Sequence, residues 1–154
     1  MRPGDTCVLR DSVVTGGLLA RNPRTVRILD TEVRRNLMVR GATDDVTIGN
    51  EGCRLDQVVG NNITVTRSHD VAICWMTVKN NIRVTRNDGR ISLFHNDVGR
   101  NITIARNLEY VRGAGVEHAR PGAIRVKDNV AGGHITAADN PGRQVIGRSE
   151  EHTS

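Results

Sequence analysis

The sequence predicts an all-β fold, a right-handed parallel β-helix (β-solenoid) of about six rungs of ~20 residues with two insertions. Three observations carry this expectation. One phrase recurs at nearly fixed spacing: "VVGNNITVTRS" from Val58 to Ser68, "TVKNNIRVTRN" from Thr77 to Asn87, and "DVGRNITIARN" from Asp97 to Asn107. Within the phrase, aliphatic and polar residues alternate, the period of two that gives a strand one inward and one outward face. Aromatic residues are only 2% of a 154-residue chain that is 37% hydrophobic. A narrow core of stacked β-branched side chains needs few rings to fill its volume.

Each expected strand follows from an aligned column. Leu18, Leu37, Ile63, Ile82, Ile102 and Ile135 share one position, and Ala20, Val39, Val65, Val84, Ile104 and Ala137 lie two residues on. A second strand precedes each of these. Its columns are Cys7, Val26, Val46, Val71, Ile91 and Ile124, then Leu9, Ile28, Ile48, Ile73, Leu93 and Val126. The offset from Cys7 to Leu18 recurs from Val26 to Leu37, Val71 to Ile82, Ile91 to Ile102 and Ile124 to Ile135. It fails from Val46 to Ile63, which places an insertion at about 49–57. A second insertion falls at about 108–122, through "LEYVRGAGVEHARPG". Gly and Asn precede each strand ("TGG", "GNN", "KNN", "GRN", "GGH"), and both tolerate the positive φ of tight corners. No 3.6-residue period survives to argue for helix. Right-handedness is the default for parallel crossover connections.

Length and repeat together predict one domain over 1–147. The last seven residues, "RSEEHTS", read as a translated sequencing-library adapter, so 148–154 is expected to be non-native. On that expectation the natural protein continues past about Ile146; an internal Met1 behind a lost leader is a reading left open beside it. No apolar run approaches the ~20 residues of a membrane-spanning helix. "MRPGDTCVLR" has neither the charged n-region nor the apolar h-region of a signal peptide. The formal net charge is +5, which favours acidic partners such as anionic polysaccharide.

The opening "PGDTCVLRDSVVTGG", the recurring "VxxNIxV" phrase and "NDGRISLFHNDVGRNI" resemble the secreted parallel β-helix repeat proteins of actinobacteria, proteins of unknown function. The resemblance covers nearly the whole chain. It implies an extracellular or cell-surface location and carries over no catalytic residue.

Several residues are candidates for chemistry. Arg67, Arg86 and Arg106 occupy one position on successive repeats, with Arg21 and Arg40 one place earlier. A line of guanidinium groups matches a linear anionic polymer; the alternative is that Asp70, Asp88 and Glu109 satisfy them. Asn36, Asn62, Asn81 and Asn101 form a column that ends at His134, and Asn87, Asn107 and Asn140 form another. Stacked amides hydrogen-bond from repeat to repeat, so these columns are read as structural. Cys7 takes an inward position. Cys53 in the first insertion and Cys74 are expected to approach as a disulfide. Three cysteines without a CxxC spacing give no zinc site. Trp75 shares a column with His95, near Asp97, as a sugar-stacking platform or as a corner covered by the 49–57 insertion.

Catalysis finds no support in the residues. Asp44 and Asp45 are adjacent, so strand alternation points them apart, and Asp56 is isolated in the insertion. A Thr-x-Thr ice-binding array fails as well, because only Thr64 and Thr66 supply it. The expected role is non-enzymatic: an extracellular structural or surface-binding protein that holds anionic polysaccharide or a cell-wall polymer. Nucleic acid is not favoured, and no metal or cofactor is implied. The alternatives are a carbohydrate-active lyase or glycoside hydrolase whose catalytic part lies in missing sequence, and a solenoid that self-associates through its ends or edges.

Overall fold

A computed structural model describes residues 3–49, 57–107, 124–140, 144–147 and 150–151. Among them the chain forms eighteen strands and no helix. The first repeats give β1 (Cys7–Val14), β2 (Leu18–Arg21), β3 (Val26–Val33) and β4 (Leu37–Arg40). Next come β5 (Val46–Gly49), β6 (Gln57–Val59), β7 (Ile63–Thr66), β8 (His69–Cys74), β9 (Met76–Val78) and β10 (Ile82–Thr85). They are followed by β11 (Asp88–Phe94), β12 (Asp97–Val98), β13 (Ile102–Ala105), β14 (Ile124–Lys127), β15 (Val130–Ala131) and β16 (Ile135–Ala138). The last two are β17 (Gln144–Ile146) and β18 (Glu150–Glu151). Most of the two insertions, and most of the tail from 148 onward, fall outside the described residues.

Every pairing is parallel, and the register follows the aligned columns. Val26 pairs with Cys7 and Val46, and Ile91 with Val71 and Ile124. Ile82 pairs with Ile63 and Ile102. The chain is therefore all-β with parallel strands, but the expected right-handed parallel β-helix of about six rungs is corrected. The strands form one 12-stranded sheet curled into a half-barrel and a separate six-stranded sheet. Two features cause the difference. Each repeat from β5 onward carries a third, short strand (β6, β9, β12, β15) that the two-column reading did not count. The eight-residue β3 then pairs with β5 at its start and with β6 at Val33. That long strand fuses into one curled sheet what the sequence reading had treated as strand and turn.

The aliphatic columns face inward between the two sheets. Val26, Ile48, Ile73 and Leu93 of the larger sheet and Leu37, Val65, Ile82 and Ile104 of the smaller one are at most 1% exposed and belong to one cluster. Each such side chain contributes roughly 1.5–3 kcal/mol on burial. Outward positions stay polar, as in the alternating burial of Ile82–Thr85.

Candidate functional site

The corner that follows each strand of the six-stranded sheet places the arginines. Its first residue is Asn22, Gly41, Arg67, Arg86, Arg106 or Asp139 in successive repeats, and all six have positive φ. Arg67, Arg86 and Arg106 lie at φ 53°, 59° and 56°. The left-handed region is costly for a side chain with a Cβ and is usually left to Gly, Asn or Asp. Asn22, Gly41 and Asp139 obey that preference, and the three arginines break it. The backbone holds them there: Arg86 N donates to Ala105 O at 3.2 Å, and Arg106 N to Ala138 O at 3.2 Å.

The next residue of the corner turns inward and explains how the strain is held. Ser68, Asn87, Asn107 and Asn140 are 9% exposed or less. Asn107 Nδ2 donates to Asn140 Oδ1 at 2.9 Å and to Val84 O at 3.1 Å. Asn107 Oδ1 accepts from both Asn87 N, at 3.0 Å, and Asn87 Nδ2, at 3.1 Å. Asn87 Oδ1 in turn accepts from Ser68 N at 2.9 Å. Each buried amide thus caps its own corner and its neighbour's, so no donor is stranded.

All three arginine side chains are exposed. Their neighbours on adjacent parallel strands sit about 4.8 Å away along the sheet. The carboxylates that the sequence offered as partners are engaged elsewhere. Asp88 Oδ1 is 3.0 Å from His69 Nδ1, and Asp70 Oδ2 is 3.8 Å from Arg90. Arg106 meets Asp139 at 3.8 Å, with both groups more than 60% exposed, a geometry worth little in water. Glu109 lies outside the described residues. Among the described residues no carboxylate comes within ion-pair distance of Arg67 or Arg86. The site also reaches further than the three arginines. A shallow groove of 250 Å³ is lined by Arg21, Asn22, Arg40, Gly41 and Arg67. A wider one of 550 Å³ runs from Gly41–Asp44 to Arg67, His69 and Asp88.

A second corner, after the strands β8, β11 and β14, carries Trp75, His95 and Asp128 at φ 56°, 51° and 54°. The indole stacks on the imidazole with ring centroids 4.3 Å apart and planes 19° off parallel. One face of Trp75 is therefore taken by His95, whose Nε2 lies 3.7 Å from Asp128 Oδ2. Behind this corner runs another buried amide pair. Asn96 Nδ2 donates to Asn129 Oδ1 at 2.8 Å, and Asn96 Oδ1 accepts from Met76 N at 3.2 Å.

The column Asn36, Asn62, Asn81 and Asn101 lies at a third corner. Successive side chains hydrogen-bond at 3.0, 2.9 and 3.3 Å, and His134 N donates to Asn101 Oδ1 at 2.8 Å. Cys7 is a buried thiol, with burial pushing its pKa above the ordinary thiol value. Cys53 is outside the described residues, and with it the expected pairing to Cys74. Among the described residues no group of three His, Cys, Asp or Glu side chains gathers to hold a metal ion, and no helix is long and apolar enough to cross a membrane.

Sequence reasoning did not find the Asn96–Asn129 pair, the Arg21–Arg40–Arg67 groove or the His69–Asp88 contact. A signal for the first was present. A polar residue followed by Asn closes a strand at Arg86–Asn87, His95–Asn96, Arg106–Asn107, Asp128–Asn129 and Asp139–Asn140. No family model matches the chain, and neither do any curated protein or solved structure.

Proposed function

We propose that this chain is a non-enzymatic, extracellular surface-binding protein that holds a linear polyanion along Arg67, Arg86 and Arg106. The observation that supports this reading is the backbone of those three residues. The other repeats fill this same corner with Gly, Asn or Asp, at Asn22, Gly41 and Asp139. Arginine there costs on the order of 1 kcal/mol per position, and it sets like charges one strand apart. Cost of this kind at consecutive positions suits a function in which the side chains, presented outward with a fixed spacing, meet regularly spaced anions. An acidic polysaccharide or a cell-wall polymer has that form.

The test is binding to polygalacturonate and to a wall teichoic acid across a salt series. The wild type is compared with the triple variant Arg67→Gln, Arg86→Gln, Arg106→Gln. We expect wild-type affinity to fall with salt, because exposed charges are screened within about 10 Å at 0.1 M. We expect the triple variant to lose at least tenfold at low salt. Equal binding by both proteins, or none by either, sinks the reading.

A further inference from the structure

We infer that the groove between Arg21, Arg40 and Arg67 is a subsite for a phosphomonoester group, the phosphorylated end of a polymer or free phosphate. This rests on the polyanion reading and adds a ligand class and two residues to it. The argument starts from a shift in the line of charge. From Arg67 to Arg106 the arginine stands at the left-handed corner. In the two preceding repeats it stands one residue earlier, at Arg21 and Arg40, which pair in register on β2 and β4. Both are exposed strand ends whose inward neighbours, Ala20 and Val39, are buried, so both point outward.

In the repeat of Arg40 the corner itself is held by Gly41. Gly41 has φ +72°, and a Cβ there would lie 2.4 Å from Asn22 Oδ1. The line steps sideways between Arg40 and Arg67, and the 250 Å³ groove lies along that step. Room on this scale suits one anion with a few waters of about 30 Å³ each, not a sugar chain. Its lining residues include three arginines and no acidic residue. Among the described residues none of the three has an acidic partner within ion-pair distance.

The number of guanidiniums selects the anion. A carboxylate offers two coplanar oxygens and one charge, which a single arginine fork satisfies. A phosphomonoester offers three terminal oxygens in a tetrahedral arrangement and a charge near −2 at neutral pH. Three arginines along one groove, at the ends of β2 and β4 and at the corner after β7, suit the second geometry.

The experiment is calorimetric titration of the whole chain at low salt with inorganic phosphate, glucose 6-phosphate, acetate and glucose. The proteins are wild type, Arg21→Gln, Arg40→Gln and, as a charge-matched control away from the groove, Arg100→Gln. We expect phosphate to bind at least tenfold more tightly than acetate. We expect each groove variant to lose tenfold or more, with Arg100→Gln staying within about threefold. Tighter binding of glucose 6-phosphate identifies a polymer end as the source, equal or weaker binding identifies free phosphate, and either supports the subsite. The inference is overturned if acetate equals phosphate, if Arg100→Gln loses as much as the groove variants, or if phosphate does not bind. Should teichoic acid or polygalacturonate still bind with salt sensitivity in that last case, the subsite fails and the arginine line stands. Should neither polymer bind, the line fails with it.

Discussion

Arg86 and Asn87 are consecutive residues of one corner, and the chain treats them in opposite ways. Asn87 points inward, is 1% exposed, and donates to Val65 O at 3.1 Å and to Asn107 Oδ1 at 3.1 Å. Arg86 points outward from a left-handed backbone, with no acidic partner among the described residues. Inside, a polar group must be matched or the fold loses the whole desolvation cost. Outside, a charged group is tolerated by water whatever it meets, so its identity is free to serve a ligand. The same division runs through Arg67–Ser68 and Arg106–Asn107. Each such corner thus sets a buried residue that closes the turn beside an exposed arginine, and the first holds the strain of the second.

The inner half of that comparison predicts the largest effect. Asn107→Ala removes four side-chain hydrogen bonds, strands the buried Asn87 backbone N–H and leaves the Asn87 side chain only Val65 O to donate to. Each orphaned buried group costs about 1–3 kcal/mol, so the variant should lose roughly 2–4 kcal/mol. Urea unfolding of the two proteins measures it. A loss well below 1 kcal/mol would mean that the amide column is decoration and that the aliphatic columns alone hold the corners.

The outer half predicts a smaller change of opposite sign. Arg86→Asn places a residue that accepts positive φ where arginine is strained. Stability should rise by a few tenths to about 1 kcal/mol, while polyanion affinity falls. Thermal melts paired with the polymer titration check both at once. A destabilised Arg86→Asn would break the division, because it would make the arginine part of what holds the corner.

Much of this was legible in the sequence, for a physical reason. Strand register is set by inward aliphatic residues two apart, so aligning Val71 with Ile91 and Ile63 with Ile82 aligned the strands as they pair. The exposed and buried Asn columns were visible because amides that bond from repeat to repeat must recur at one position. The architecture was misjudged because short strands such as Asp97–Val98 hold too few residues to show a period. Asp30, at φ 46°, looks like the start of a turn, yet the ladder with β1 resumes after it and Val26–Val33 counts as one strand. The arginine groove was hidden for another reason. Arg21 and Arg40 fall out of the column of Arg67 by one residue, and it is the pairing of β2, β4 and β7 that sets all three along one groove.

The smallest expected effect tests whether the interior refuses charge at the first repeat as it does at the central ones. Cys7 pairs with Val26 at the start of β1 and β3 and is 4% exposed. Burial disfavours the thiolate and raises the Cys7 pKa above that of the unfolded chain, near 8.5 for a free thiol. Below that value both states keep the proton and stability is unaffected. Between the unfolded and folded values the unfolded chain has lost its proton and the folded chain has not. The unfolded state then binds fewer protons, so stability falls as pH rises through that window. Cys7→Val places the residue type that the column carries elsewhere and removes the titration. The wild type should therefore decline relative to the variant above about pH 8.5, read as a widening gap between their urea midpoints from pH 7 to 10. Cys53 and Cys74 are common to both proteins, so the difference isolates Cys7. Parallel curves would place the Cys7 thiol in contact with water, and the rule that the interior excludes charge would then hold for the central repeats and not for the first.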